Sequence, residues 1–323
     1  MARAALRRLV GAAGVVFGIS VIVFALFFVT PGADPAARIA GRGASPETLA
    51  QVRHEFGLDR ALPVQYAILM RRLFVTRDLA STVNRGQLVV PALLRAAPVS
   101  LSLVAGAAVF WVLGAFGLGL VAAAMPGRVM DRVVLGLGVL GASIPVFWLG
   151  EVVNLVTQSR LHDTALFAWV PPLGYRPLGQ DPAGWFKALL IPWLTLASLY
   201  AGLYGRLLRA SLGEAYREDY IRTARAKGLG ESRILLRHAL RNSLVPFVSL
   251  FGLDFGALVG GGALLTEVVF GLHGVGKLTY DAMRNLDLPV IMATVLYAAF
   301  FVVAASLAVD VAYAALDPRV RRA

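Results

Sequence analysis

Six long, almost uncharged stretches restrict this chain to a membrane-spanning fold. A hydrocarbon core about 30 Å thick needs roughly 20 apolar helical residues to cross it. The stretches are Leu9–Val29, Ala96–Met125, Val133–Gly150, Ala188–Gly205, Asn242–Thr266 and Leu288–Val309. Asp254 is the one charged residue within them. The sequence therefore predicts an all-α polytopic membrane protein with six transmembrane helices.

The first stretch also has the basic start of a signal peptide, with Arg3, Arg7 and Arg8 before it. Its apolar part is longer than the usual core of a signal peptide, which has about 7–15 residues. We therefore interpret it as a retained span. The predicted organisation is an N-terminal transmembrane helix (1–30), an external subdomain (31–95), a five-helix permease core (96–316) and a cytoplasmic tail (317–323).

Charge and composition exclude several other classes of protein. The chain is 58% hydrophobic and 15% charged, which is unusual for a soluble domain. It has no cysteine, and its four histidines are scattered, so neither a thiolate nor a metal site is expected. The net charge of +12 would suit nucleic acid, but the basic residues lie between apolar runs and lack an aromatic stacking platform.

The distribution of positive charge predicts the orientation. With six spans both termini lie on one side, together with residues 126–132 and 206–241, and that side holds 17 of the 31 Lys and Arg residues. The two short opposite loops hold 5, and the other 9 lie in residues 31–95, a segment long enough to escape the positive-inside rule. Both termini and loop 206–241 are therefore predicted to be cytoplasmic.

The external segment after the first span contains Pro and Gly punctuation and a polar stretch. Within it, Pro46–Phe56 is predicted to form a short helix with Ser45 as its N-cap. The segment has few apolar runs long enough for a core of its own.

The basic segment Glu214–Arg241 is too charged to span a membrane and too regularly apolar to be a disordered tail. Tyr220, Ile221 and Ala224 are predicted to share one helical face, with Arg225 and Lys227 near the helix C-terminus. Gly228 and Gly230 break that helix.

A second helix is expected to begin at Glu231 or Ser232. Its apolar residues recur at helical spacing, and they are Ile234, Leu235, Ala239 and Leu240. A short surface helix, a glycine turn and a second helix between two spans could fit a groove in a partner protein.

The stretches EDYIRTARAKGL and LLRHALRNSLVP resemble the cytoplasmic coupling loop of binding-protein-dependent ABC permeases of the dipeptide/oligopeptide branch. The alanines and glycine of that motif match Ala224, Ala226 and Gly228. Further similarity lies in GLDRALPVQY, SIPVFWLG, LLRAS and LDPRVR, so the resemblance covers nearly the whole chain. Arg222 stands where the broader superfamily has glutamate, which favours the peptide branch.

The resemblance implies a transport subunit without catalytic residues, located in the bacterial inner membrane. Its implied partners are a second permease subunit in a heterodimer, one or two cytoplasmic ATPase subunits, an external solute-binding protein and membrane lipid. ATP and Mg²⁺ would bind to the ATPase subunits, and this chain would bind no cofactor and no nucleic acid. The residues implied to couple to the ATPase are Tyr220, Ile221, Ala224, Arg225, Ala226, Lys227, Gly228 and Leu229.

Two departures and one near-match bear on function. The external segment reads RDLAST where the family often has a Gly-Asp-Leu-Gly element, so substrate-side details can differ. The stretch GLHGVGKL (Gly271–Leu278) nearly matches a phosphate-binding loop, but Leu278 lacks the hydroxyl that would bind magnesium and no strand precedes the stretch. The predicted topology also places it outside, away from cytoplasmic ATP.

Asp254 is predicted near the middle of a span, where an ionised carboxylate costs about 2.5–3.5 kcal/mol. It is either a polar element of the translocation path, or a carboxylate that is paired within the subunit interface or protonated. Gly252, Gly256 and Gly260 permit close helix packing, within the chain or against a second permease. Pro145 and Pro192 fall inside spans, where each can kink a helix or be tolerated.

Two other functions remain open from the sequence. A self-sufficient secondary transporter would use Asp254, but no internal repeat supports it, and a membrane enzyme lacks a nucleophile with a base. For an importer, peptide is the expected substrate, with nickel chelates, glutathione or sugars as alternatives within the same family.

Overall fold

The computed structural model describes residues 2–28, 35–40, 44–84 and 86–316. In these ranges the regular structure is helical, apart from one isolated bridge between Ala80 and Leu88. The helices are α1 (Ala2–Phe28), α2 (Pro35–Ala40), α3 (Pro46–Phe56), α4 (Leu62–Phe74), α5 (Val89–Ala124), α6 (Val129–Ser143), α7 (Val146–Leu155), α8 (Pro182–Ala215), α9 (Asp219–Ala226), α10 (Glu231–Arg233), α11 (Leu240–Ala257), α12 (Leu264–Val269), α13 (Val275–Asn285) and α14 (Leu288–Leu316). The predicted all-α class is confirmed for the described residues.

Four helical segments are long and apolar enough to cross a membrane. They are Val89–Ala124, Pro182–Ala215, Glu231–Gly262 and Leu288–Ala312. The third includes π-helical turns at Ile234–Ala239 and Leu258–Gly262, and the second of these turns is kinked at Gly261, whose φ is 121°. Helix α1 has 27 residues, but its apolar stretch, Val10–Leu26, is shorter than those four. Helix length and composition thus support a multi-pass membrane protein.

The remaining predicted span, Val133–Gly150, is broken. Helices α6 and α7 meet at an angle of 98°, and the two together could make a fifth span. The break falls at Pro145, which lacks a backbone N–H donor and stands just before α7. Pro192, by contrast, lies inside the continuous helix α8. Of the two prolines that could kink a span, Pro145 therefore coincides with an interruption and Pro192 does not.

The polar stretch after the first span folds as predicted. Helix α3 occupies Pro46–Phe56, and the Ser45 hydroxyl accepts a hydrogen bond from the backbone N–H of Thr48 at 3.2 Å. Gly57 ends the helix with φ of 61°, a left-handed conformation that glycine adopts at little cost. Both ends of this helix are therefore specified by local sequence.

The described chain divides into two compact units. One comprises the described parts of 1–101, 256–268 and 273–304. Its core packs side chains of α1, α4 and α14 together, among them Phe24, Leu69, Leu73 and Ile291. Residues of the predicted external segment therefore share a core with α1. The predicted boundaries of that segment, at residues 31 and 95, stay predictions.

The other unit comprises 102–255, 269–272 and the described part of 305–323. Within it α6 and α8 approach closely through glycines. A Cβ atom added to Gly202 would lie 2.6 Å from the carbonyl oxygen of Leu137, and one added to Gly141 would lie 2.5 Å from that of Leu199. Small residues at such contacts let helix backbones approach closely. The predicted tail, 317–323, and the end of LDPRVR lie beyond the described residues.

Candidate functional site

The segment Glu214–Arg241 has the predicted order of elements. Helix α8 ends at Ala215, α9 follows as a separate short helix, and a new helix begins at Glu231 after Gly230. Both expected breaks, at Gly228 and Gly230, lie between α9 and the new helix. The chain therefore presents one short helix between two long apolar segments.

Gly228 ends α9 through a specific backbone motif. Its φ of +75° is left-handed, its N–H donates to the carbonyl of Arg225 at 2.9 Å, and the N–H of Leu229 donates to the carbonyl of Ala224 at 3.3 Å. These two bonds form the Schellman motif that glycine commonly makes after a helix. Space around Gly228 is open, since no other atom lies within 4 Å of a Cβ added there.

Helix α9 is held by one narrow apolar face. Ile221 is fully buried and Ala224 is 5% exposed, whereas Tyr220 is 36% exposed. The three positions lie within an arc of about 100° on α9, as expected for one face, and Tyr220 stands at the exposed edge of that face.

The other residues implied to couple to an ATPase are mostly at the surface. Arg225, Ala226, Lys227 and Gly228 are exposed, and Leu229 is half-buried. The structure therefore separates the eight coupling candidates into an anchor, Ile221 and Ala224, and an accessible surface.

A fixed arginine joins α9 to the next helix. Arg225 donates to Glu231 through Nε at 2.7 Å and through Nη2 at 3.1 Å, a two-pronged geometry specific to arginine. The Arg225 guanidinium also lies 5.5 Å from the centroid of the Tyr216 ring. Burial raises the pKa of the Tyr216 hydroxyl above its ordinary value. These contacts fix the turn between α9 and α10. Opposite charges are the one local signal for this pairing.

The helix after the turn begins at Glu231, one of the two predicted starts. Ile234 and Ala239 are buried, and Leu235 and Leu240 are half-buried, so its apolar residues face inward as expected. The π-helical turn over Ile234–Ala239 was not anticipated, because the apolar spacing fits an ordinary helix equally well.

An ion pair that sequence reasoning missed joins α6 to α8. Asp131 accepts hydrogen bonds from Arg209 Nε and Nη2, each at 2.8 Å, and from the backbone N–H of Gly127 at 2.9 Å. The Asp131 side chain is only 4% exposed. Because 78 residues separate the partners, no local pattern could identify them.

Asp254 is paired inside the protein. The Tyr204 hydroxyl donates to Asp254 Oδ2 at 2.6 Å, and Asp254 itself is half-buried. Tyr204 belongs to an aromatic cluster with Trp111, Phe247 and Phe251. Asp254 therefore has a partner within this chain, and pairing at a subunit interface, protonation and a position on the translocation path all stay predictions.

Two of the regularly spaced glycines pack against the last helix. A Cβ atom on Gly252 would lie 1.9 Å from Val309, and one on Gly260 would lie 2.9 Å from Ala298 Cα. These two positions serve helix packing within the chain, which leaves them less available for contact with a second permease.

The stretch that resembles a phosphate loop forms the start of α13, and the chain's own side chains occupy it. Glu267 is fully buried and accepts a hydrogen bond from the backbone N–H of Lys277 at 2.8 Å. Ser100 donates to Glu267 at 2.6 Å and accepts from the N–H of Val275 at 2.8 Å. A Cβ atom on Gly274 would lie 2.5 Å from the Glu267 carboxylate.

The net effect of this environment is to raise the pKa of Glu267. Burial is the largest cause, and hydrogen bonds from Ser100 and from the main chain of Lys277 and Gly276 oppose it. A carboxylate thus holds the amides that a phosphate group would need. The sequence showed Glu267 next to this turn but gave no indication that its side chain folds back onto the helix.

In the ranges that the structure describes, no three His, Asp or Glu side chains come together as a possible metal site.

Known proteins match this chain over nearly its whole length. Residues 115–322 match the family described as binding-protein-dependent transport system inner membrane component, and residues 1–102 match its N-terminal region. A putative peptide transport system permease protein of Brucella abortus is 37% identical over 98% of both chains.

Two further relatives also align over 98% of both chains. They are the glutathione transport system permease protein GsiC of Salmonella choleraesuis, at 35% identity, and the dipeptide transport system permease protein DppB of Alkalihalophilus pseudofirmus, at 30%.

Proposed function

This chain belongs to the family of binding-protein-dependent transport system inner membrane components, and we propose that it is the permease subunit of an ATP-driven importer of di- or oligopeptides. Relatives named as peptide and dipeptide permeases support this substrate class. Glutathione, itself a small peptide-like molecule, is the alternative that the relative from Salmonella favours.

We propose six crossings, made by α1, α5, the bent pair α6–α7, α8, the segment Glu231–Gly262 and α14. An even number places both termini on one side, and the excess of Lys and Arg on that side assigns it to the cytoplasm. The presence of α9 between two apolar segments, in the most basic loop on that side, supports the proposed orientation.

The exposed surface of α9 is the observation that supports a role in coupling to the ATPase. Its anchor, Ile221 and Ala224, is buried in this chain, while Tyr220, Arg225 and Lys227 remain accessible. Tyrosine and arginine are frequent among the residues that dominate protein interfaces. We therefore assign contact with the ATPase subunit to the accessible residues, with Ala226, Gly228 and Leu229 at the end of the same surface.

ATP hydrolysis is assigned to partner subunits. At the start of α13, where the sequence most resembles a phosphate loop, Glu267 already accepts the N–H of Lys277. A phosphate group there would have to displace the Glu267 carboxyl group from this N–H. The proposed assembly contains a second permease, one or two ATPase subunits that bind ATP and Mg²⁺, and a solute-binding protein outside the membrane.

Asp254 is proposed as a polar element of the translocation path. Its place in one of the four long apolar segments and its half-buried carboxylate support this role. The hydrogen bond from Tyr204 would hold the carboxylate in position between transport cycles.

Substitution of Gly228 tests the docking surface. In the transporter reconstituted with its ATPase and second permease, Gly228→Trp adds bulk in open space beside the coupling surface, while Gly228→Ala adds only the strain of the left-handed backbone. We expect Gly228→Trp to insert normally but to lower transport-coupled ATP hydrolysis well below that of Gly228→Ala.

A matched control is Gly230→Trp, which adds the same side chain at an open glycine with φ of −66°. Normal coupling in Gly228→Trp, or an equal defect in both Trp variants, would remove the assignment of docking to the end of α9.

A further inference from the structure

A cavity of about 590 Å³ lies beside α9 at the ends of α5 and α8. Its volume falls in the range of small-molecule sites, roughly 300–1,000 Å³. Apolar and cationic side chains share its wall, and they include Ala123, Ala124, Leu235, Arg209, Arg217 and Arg225. This combination suits a ligand that is itself part apolar and part anionic.

The cavity carries a surplus of positive charge. Arg209 is paired with Asp131, and Arg225 is paired with Glu231, which also lines the cavity. Arg217 is exposed and has no carboxylate within 4 Å among the described residues.

The cavity also offers unused hydrogen-bond donors. Each two-pronged pair occupies only Nε and one terminal nitrogen, so most N–H donors of Arg209 and Arg225 are left unused. Arginine donors arranged in this way recognise phosphate oxygens well.

The position of the cavity favours a lipid over a soluble ion. Val89–Ala124 and Pro182–Ala215 are both candidate spans, and the cavity lies where both end. Phospholipid headgroups occupy the layer just outside the hydrocarbon core. Basic pockets between transmembrane helices are known to bind phosphate-bearing headgroups.

We propose that this cavity binds the phosphate group of an anionic phospholipid. Arg217 is the main cationic contact, Arg209 and Arg225 supply further N–H donors, and the alanine and leucine side chains accept the apolar part of the lipid. A lipid held this way contacts the end of α8 and the coupling helix α9 together, so it stabilises α9 in its position. The binding does not depend on the proposed orientation or substrate.

The test uses the purified full-length chain, delipidated in neutral detergent and titrated with phosphatidylglycerol or phosphatidylcholine under native mass spectrometry. We expect wild type to retain phosphatidylglycerol in preference to phosphatidylcholine. Arg217→Gln should weaken phosphatidylglycerol binding about fivefold, the effect of about 1 kcal/mol per basic residue at a lipid surface. Arg132→Gln removes one exposed charge that does not line the cavity and should leave binding unchanged.

A second variant blocks the cavity without disturbing the fold. Gly213 lines it, and no atom lies within 4 Å of a Cβ added there. Gly213→Glu places a carboxylate in the cavity and should weaken phosphatidylglycerol binding more than tenfold, while Gly213→Ala should bind within twofold of wild type. Thermal unfolding of both variants in detergent checks that they fold.

Two outcomes would overturn the proposal. One is phosphatidylglycerol binding that Arg217→Gln and Gly213→Glu leave intact. The other is tighter binding of inorganic phosphate or glycerol 3-phosphate than of phosphatidylglycerol, which would assign the cavity to a soluble anion. Weak competition by those ions, only at concentrations far above that of the lipid, supports a lipid headgroup.

Discussion

Two short helices, α9 and α13, occupy similar places in the chain but are held by it in opposite ways. Both join long apolar segments, and both end in a left-handed residue, at Gly228 and at Leu286. The N-terminus of α13 is capped by Glu267 and Ser100, whereas no side chain caps that of α9. Buried polar groups therefore hold α13 in place within its unit.

The C-terminal side of α13 is fixed in the same manner. Asp287 is 2% exposed and accepts hydrogen bonds from Ser81 and Thr82. Helix α9 depends instead on Ile221 and Ala224, with its polar residues exposed. The difference indicates that α13 is a structural part of this chain, and that α9 is a surface held ready for another molecule.

The largest expected effect is on α13. Glu267→Ala removes the acceptor of the Lys277 N–H and of the Ser100 hydroxyl, and leaves a small void. A buried donor without an acceptor costs about 1–3 kcal/mol, so we expect the free energy of unfolding to fall by about 2–4 kcal/mol. Denaturant titration of the purified chain in detergent measures it.

Glu151→Ala is the control for Glu267→Ala, because it removes the same side chain from an exposed position. Its effect should stay within about 0.5 kcal/mol. If both variants lost the same stability, Glu267 would not be holding α13.

A somewhat smaller loss is expected at the other end of α13. Asp287→Ala removes the acceptor for the Thr82 N–H at 3.2 Å and for the Thr82 hydroxyl at 3.1 Å, and also for the Ser81 hydroxyl. We expect unfolding to become easier by about 2 kcal/mol. Asp281→Ala, at an exposed residue of the same helix, is the comparison, and equal losses would contradict the asymmetry.

The contrast between the two helices also shows which parts of the structure can be predicted from the sequence. Local signals were sufficient for α3, where Ser45 and Gly57 mark both ends, and for the helix, turn and helix after Glu214. Apolar run length likewise predicted the four long membrane segments. These features depend on residues close together in the chain.

The remainder depends on contacts between distant residues. Ser100 and Glu267 are 167 positions apart, Ser81 and Asp287 are 206 apart, and the Tyr204–Asp254 pair spans 50. One sequence carries no pattern that joins such partners. The exposure of Tyr220 has a different cause, since an eight-residue helix offers too few positions to fix the centre of its buried side.

An intermediate effect is expected at the end of α9. Gly228→Ala forces a residue with a Cβ atom into φ of +75°, at a cost of about 1–2 kcal/mol. Gly230→Ala, at φ of −66° and in open space, should cost nothing measurable or stabilise slightly. Denaturant titration compares the two, and an equal change in both would mean that the Schellman motif does not hold the end of α9.

The smallest effect on stability is expected at Tyr220. This residue also gives the clearest functional difference between α9 and α13. Tyr220→Ser changes an exposed side chain, so the free energy of unfolding should shift by less than about 0.5 kcal/mol. Transport-coupled ATP hydrolysis by the reconstituted transporter should nevertheless fall several-fold, because an aromatic side chain is lost from the proposed ATPase contact. Tyr280→Ser provides the matched change on α13, where Tyr280 is half-buried beside Arg284. It should leave coupling intact even if it costs some stability, and a coupling defect there equal to that of Tyr220→Ser would mean that α9 is not the distinct docking helix.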